Sequence, residues 1–202
     1  MNEEGRDRRL LRGAESRRTI VRHAVDVASL DGLDGLSFGR LASDLRVSKS
    51  GIQTLFGTKE NLQVATVEAA GAAFATAVIE PALPRAPGTD RLRALLEGWI
   101  GYAEQPLFPG GCFWAANLPT FDSAPGPVRE SLLQHQRAWR ALIAAEAHHA
   151  VDAGEIADLD PDLVAFQLDA VLTATNIALR CGDSDAVARM RRIIDATLGR
   201  VP

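Results

Sequence analysis

Apolar residues recur at helical spacing along almost the whole chain, and sustained period-two alternation is absent. Ser16 is placed to cap a helix to about Leu30 with Ile20, Ala24, Val27 and Ala28 inward, and Asp31-Gly32 ends it. Ser37 starts a short helix with Phe38, Leu41, Ala42 and Leu45 inward, and Ser48 starts another to about Leu55. Gly57 breaks that helix, and Thr58 caps a long one from Lys59 to about Ile79. Pro81, Pro84 and Pro87 mark a connector. Beyond it the pattern predicts helices over 89–104, 111–121, 127–152, 161–181 and 185–198, punctuated by Pro106, Pro109, Gly110-Gly111, Pro125-Gly126-Pro127, Gly154 and an Asp160-Pro161 start. The expected fold is all-α, with about nine helices.

Residues 41–56, LASDLRVSKSGIQTLF, hold two of these helices on either side of a turn too short for anything but a tight reversal. Lys49, Ser50, Gln53 and Thr54 fall at i, i+1, i+4 and i+5, so they share one face of the second helix. That face can form hydrogen bonds and carries a single charge, whereas a merely solvated face carries more. A helix-turn-helix gives it a purpose. Ile52, Leu55 and Phe56 hold the second helix against Leu41 and Leu45, and the polar face enters the major groove of DNA. Gln pairs with adenine through two hydrogen bonds, Lys reaches guanine, and Ser or Thr contacts bases or phosphate. Gly51 allows close backbone approach, and the helix starts at Ser37 and Ser48 offer N–H groups to phosphates.

Charge distribution agrees with that placement. The 202-residue chain has a net charge of −4, so no global attraction to nucleic acid exists. Residues 1–62 nevertheless hold 11 Lys+Arg against 9 Asp+Glu, whereas residues 63–202 hold 11 against 17. Seven Arg lie between residues 6 and 22, and the first dozen residues read as a disordered basic arm. No uninterrupted apolar run has the length of a membrane span, no signal peptide is expected, and two cysteines make no disulfide framework. Cytoplasmic location and no membrane partner are therefore expected.

Residues 17–62 resemble the DNA-binding domain of the TetR family of bacterial repressors, in RRTIVRHAVDVASLDGLDGLSFGRLASDL followed by RVSKSGIQTLFGTKENL. Val47, Ser48, Lys49, Phe56, Lys59, Glu60 and Leu62 match the family pattern G-V-S-K-G-x-L-Y-x-x-F-x-x-K-E-x-L. The resemblance implies a DNA-binding head over 1–62 and a helical ligand-binding and dimerisation domain over 63–202. It implies DNA contacts from Arg17, Arg18, Ser37, Arg46, Ser48, Lys49, Ser50, Gly51, Gln53, Thr54 and Lys59. Three positions depart from the pattern. Arg46 replaces the Gly that ends the second helix, so a left-handed backbone is expected at a residue that resists it. Gln53 and Leu55 replace residues that are often aromatic.

In the second half, the helix over 161–181 is apolar on two sides: Leu163, Phe166, Ala170, Val171, Ala174 and Ala178 make one stripe, and Leu168, Leu172, Thr175 and Leu179 another. With Met190 and Ile194 of the last helix, the first stripe suits contact with a second copy; one buried helix of a monomer is the alternative. All three tryptophans, Trp99, Trp114 and Trp139, lie in this half with Tyr102, Phe108, Cys112, Phe113, Asn117, Phe121 and His135. Large aromatics with a few polar groups suit a mostly apolar small-molecule site. Each also suits a core position, and Cys112 is either a redox sensor or a buried thiol. Glu146 and His149 form half of a di-iron helix pair with no second half. No nucleophile elbow, P-loop or dinucleotide fingerprint occurs, so neither metal, cofactor nor enzymatic activity is expected. The expected function is a homodimeric transcriptional regulator, a repressor that binds a palindromic double-stranded DNA operator and is released by an unidentified small molecule. A helical ligand-binding protein with a vestigial helix-turn-helix is the alternative.

Overall fold

The computed structural model describes residues 3–157 and 160–199, with side chains from residue 13 onward. Among them are nine α-helices and no strand: α1 Glu3–Asp31, α2 Phe38–Leu45, α3 Lys49–Phe56, α4 Lys59–Phe74, α5 Thr89–Glu104, α6 Phe113–Phe121, α7 Pro127–Asp152, α8 Pro161–Arg180 and α9 Ala186–Thr197. Short polar side chains set the starts. Ser37 Oγ accepts the Arg40 N–H, Ser48 Oγ the Gly51 N–H and Thr58 Oγ1 the Asn61 N–H, each at 3.1 Å. Asp160 does the same for α8, accepting the Asp162 N–H at 2.9 Å. Each cap satisfies an N–H that the helix leaves without a partner, a contribution of about 1 kcal/mol.

Two elements differ from the sequence expectation. The first helix runs from Glu3 rather than from Ser16. Arg, Leu and Glu are strong helix formers, so the basic arm continues the helix upstream and Ser16 lies within it. The fourth helix is α-helical only to Phe74; a π turn follows at Ala75–Ile79 and a 3₁₀ turn at Glu80–Ala82. Pro81 has no N–H to continue the α ladder, and the chain loosens one turn before it.

The chain packs as two units. The first comprises Met1–Gly71 with Phe108–Leu132. In it α1, α2 and α3 contact one another, and Ile20, Ala24, Ala28, Leu41, Ile52 and Phe56 are buried. The packing division thus departs from a boundary at residue 62: residues 63–71 and 108–132 go with the head. The second unit comprises Ala72–Leu107 with Leu133–Pro202. Its core includes Leu92, Leu95, Leu96, Ile100, Ile143, Leu168, Leu172 and Met190. The start of α5 is held by two carboxylates. Buried Glu146 accepts the Gly88 N–H at 2.9 Å and pairs with Arg91 at 3.1 Å, and Glu155 accepts the Thr89 N–H at 2.8 Å.

Joined end to end, Lys59–Ala82 and, by itself, Pro161–Arg180 have the length and composition to cross a membrane, although neither is an uninterrupted apolar run. The first is rich in alanine and is α-helical only to Phe74. The second owes its hydropathy to a helix that is apolar on two sides, of which its own unit covers one.

Candidate functional site

The turn between α2 and α3 is built on one left-handed residue. Arg46 has φ 55° and ψ 41°, and it is the one non-glycine residue at positive φ among those described. Its N–H bonds to the Ala42 and Ser43 carbonyls, and the Val47 N–H reaches back to Ala42 O at 3.0 Å. This closure satisfies the last carbonyls of α2 and turns the chain directly into the Ser48 cap. Gly51 has its own local reason: a Cβ there would lie 2.8 Å from the capping Ser48 Oγ.

Ile52 and Phe56 are buried, Leu55 is half-buried, and Lys49, Ser50, Gly51, Gln53 and Thr54 are exposed. The Thr54 hydroxyl donates to Ser50 O at 2.8 Å and keeps its lone pairs outward. Ser37, Ser48 and Arg46 are exposed beside this face.

Two residues expected to contact DNA have partners within the protein. The Arg17 guanidinium lies 4.5 Å from the Phe56 ring centre and donates to Leu55 O at 3.0 Å, so it fastens the end of α3 to α1. The Lys59 ammonium donates to Asp34 O at 2.7 Å, tying the start of α4 to the turn after α1. Arg18 is exposed. Arg40 pairs with Asp31 at 2.6 Å and ties α2 to the end of α1.

The expected effector residues divide between the units. In the second unit, Tyr102 and Trp139 both meet Phe74 edge-to-face, at 5.3 and 5.2 Å between ring centres, with Trp99 buried and His135 half-buried. In the first, Phe113 meets Phe108 at 6.2 Å and Trp114 at 5.6 Å, and Cys112 and Phe121 are half-buried. Asn117 does not present its amide to a ligand. It is fully buried, and it bonds to Leu33 N, Ala28 O and Phe113 O.

The residues expected at a dimer face differ in exposure. Leu163 and Phe166 are 52% and 56% exposed, Ala170 and Ala174 are exposed, and Ala178 is half-buried. Met190 and Ile194 are a correction, because both are buried in their own unit. On α9 the inward stripe is Val187, Met190 and Ile194, and the exposed apolar side chain is Ile193. Beside the α8 face, Gln136 of α7 donates to Asp169 at 2.7 Å, and the Arg140 guanidinium lies 5.3 Å from the Phe166 ring centre. Burial pushes the Asp169 carboxyl above its ordinary range, opposed by the Arg140 charge and the Gln136 hydrogen bond.

Residues 88–194, just over half of the chain, match a family model described as tetracyclin repressor-like, C-terminal domain. The chain belongs to the TetR family of transcriptional regulators. No curated protein matches its sequence. Solved structures share its fold. A TetR transcriptional regulator from Chloroflexus aurantiacus J-10-FL is 22% identical with a TM-score of 0.81, over 94% of this chain and 98% of that one. A TetR-family regulator from Agrobacterium tumefaciens is 15% identical with a TM-score of 0.82, over 93% and 100%. AibR in complex with isovaleryl coenzyme A and operator DNA is 16% identical with a TM-score of 0.70, over 92% and 99%.

In this TetR-family chain the helix-turn-helix lies in the first unit. Sequence reasoning missed Phe74, which is isolated among alanines, and Ile177, 55% exposed. Ile177 was findable: it extends the 163, 166, 170, 174 stripe by one step.

Proposed function

We propose that this regulator is a homodimeric repressor whose two α3 helices read the half-sites of a palindromic operator. One observation carries the reading: Lys49, Ser50, Gln53 and Thr54 stand exposed together on α3 while Ile52 and Phe56 of the same helix are buried. Leu163, Phe166, Ala170, Ala174 and Ile177 of α8 form the face for the second copy, and small residues in its middle let two helices approach closely. A small, mostly apolar effector binds among the aromatic side chains of the C-terminal domain and favours a dimer whose heads no longer match the half-site spacing. By linkage, DNA weakens effector binding by the same factor. AibR, crystallised with a coenzyme A thioester and operator DNA, supports this division of labour.

The test is selection of duplexes from a randomised pool by the purified chain, followed by gel shift against a small-molecule library. The reading requires a palindromic consensus bound by a dimer and at least one compound that releases it. Enrichment of no duplex rejects DNA reading, and a one-sided consensus rejects the dimer.

A further inference from the structure

The bend between α1 and the helix-turn-helix is not held by its own hydrogen bonds alone. After α1 ends, Gly32 takes φ 73° and a 3₁₀ turn at Leu33–Gly35 leads into α2. Leu33 is buried, and side chains from elsewhere in the first unit take up both of its backbone groups. Asn117 Oδ1 of α6 accepts the Leu33 N–H at 2.7 Å, from 84 residues along the chain. Gln63 Nε2 of α4 donates to Leu33 O at 3.0 Å. Both side chains are buried. The Asn117 amide also donates to Ala28 O at 3.2 Å and Phe113 O at 2.8 Å, so it joins the last turn of α1 to the first turn of α6. Beside it the Gly110 N–H donates to Ser29 Oγ at 3.0 Å, and a Cβ on Gly110 would lie 1.8 Å from Ser29 O. The segment before α6 is thus seated on the α1 backbone.

We infer that Asn117 and Gln63 are positioning residues for DNA reading: together they clamp Leu33 and so fix the angle at which α2 and α3 leave α1. The inference rests on the reading of α3 as the helix that meets DNA. The physical reason is that a buried backbone group short of partners is unfavourable: without Asn117 the buried Leu33 N–H loses its acceptor, and without Gln63 the Leu33 C=O keeps only the Leu36 N–H, at 3.2 Å. The two amides add to the Lys59 bond to Asp34 O and the Arg40–Asp31 pair, and they are the buried restraints at Leu33 itself. Neither side chain touches DNA. Each acts through Leu33, on the pose of a helix whose exposed face discriminates between base sequences only if it enters the groove at one angle.

Two variants of the full chain test it. Asn117→Leu keeps size and removes both the acceptor for the Leu33 N–H and the donor to Ala28 O and Phe113 O. Gln63→Met keeps length and removes the donor. The probe is a duplex selected by the unaltered chain from a randomised pool, with a scrambled duplex as control, well below the melting temperature of each variant. Each variant is expected to bind the selected duplex about tenfold more weakly, the ratio that goes with loss of one buried hydrogen bond. Binding to the scrambled duplex and the salt slope stay unchanged, which a simple loss of folded protein would not produce. Equal losses on both duplexes, or full selectivity in both variants, overturn the inference. If the unaltered chain enriches no duplex, DNA reading itself has failed and hydrogen exchange decides the clamp. Amides of residues 29–36 must then lose at least about tenfold in protection in the variants while α9 keeps its own, because each variant removes at least one hydrogen bond from the bend and none from α9. Unchanged protection there overturns the clamp.

Discussion

Replacing Arg46 by glycine should make this protein more stable and a poorer DNA binder at once. The backbone at this position is left-handed, with φ 55° and ψ 41°. There the Cβ of an L-residue crowds the following carbonyl at roughly 1–2 kcal/mol. Glycine removes that strain, and it adds freedom to the unfolded chain worth about 0.4–1 kcal/mol in the opposite direction. The hydrogen bonds of the turn run from the Arg46 and Val47 N–H groups to Ala42 and Ser43, and glycine keeps all of them. The difference is a gain of up to about 1 kcal/mol, or about 2–4 °C in melting temperature for a chain of this size.

The side chain works the other way. Arg46 is exposed at the corner where α2 hands over to α3, next to the Ser48 cap. A guanidinium there faces phosphate when α3 lies in the groove, and removing one such cation flattens the slope of log K against log salt by about 0.9. Thermal melting and anisotropy titrations over a salt series measure both effects. Arg46→Ala separates them, since alanine keeps the left-handed strain and loses the charge: its stability should match the parent and its DNA affinity the glycine variant. A glycine variant no more stable than the alanine variant refutes the strain reasoning. An unchanged salt slope in both refutes the phosphate pairing.

Other outcomes follow from the same geometry. Gln53→Ala should weaken binding to the selected duplex by about 1–3 kcal/mol and relax one base position; equal loss on scrambled DNA would remove its base-reading role. Ala174→Asp should yield folded monomers by light scattering, because two carboxylates would be buried face to face near the two-fold axis; a folded dimer places the interface elsewhere. Asp169→Asn should raise stability at neutral pH. The folded state holds the Asp169 proton to higher pH than the unfolded state does, so ionisation opposes folding above the ordinary carboxylate range and the gain disappears as pH falls through that range. Denaturation curves showing a gain that grows on acidification contradict that sign. Arg17→Ala should lower stability by about 1 kcal/mol through its missing hydrogen bond and leave the salt slope of DNA binding as it was, which a phosphate ligand could not do.

What the sequence shows of this molecule is mostly what is decided locally. Caps at Ser37, Ser48 and Thr58 act over three residues, so their spacing displays them. The left-handed Arg46 is legible because it stands in a short turn at the place where the family pattern has Gly. The partners of Arg17, Lys59 and Asn117 lie 38, 25 and 84 residues away, and nothing near those positions announces them. An arginine in a basic segment looks the same whether it will meet phosphate or a carbonyl at the end of α3. The α9 error is of another kind. Met190, Ile193 and Ile194 are all apolar, and a turn of helix separates the inward stripe from the outward one only when its neighbours are known. The upstream extension of α1 reflects competition between good helix formers and a plausible cap, which sequence alone does not rank.

The cations of the head therefore do two kinds of work. Among the side chains described, Arg17 and Lys59 hold backbone carbonyls and Arg40 holds Asp31, so these charges stabilise the pose of α2 and α3. Arg18, Arg22, Arg46 and Lys49 are exposed, so their charges face solvent. Each cation used internally is one fewer for phosphate, and the sequence-independent part of the affinity scales with the phosphates neutralised. In the proposed reading, discrimination comes from hydrogen bonds of Gln53, Ser50 and Thr54 to base edges, which depend steeply on angle. A reader that relies on angle needs a rigid mount. Internal use of three cations and the two amides on Leu33 have that common effect: they give up electrostatic attraction, or bury polar groups, to hold α3 at one orientation.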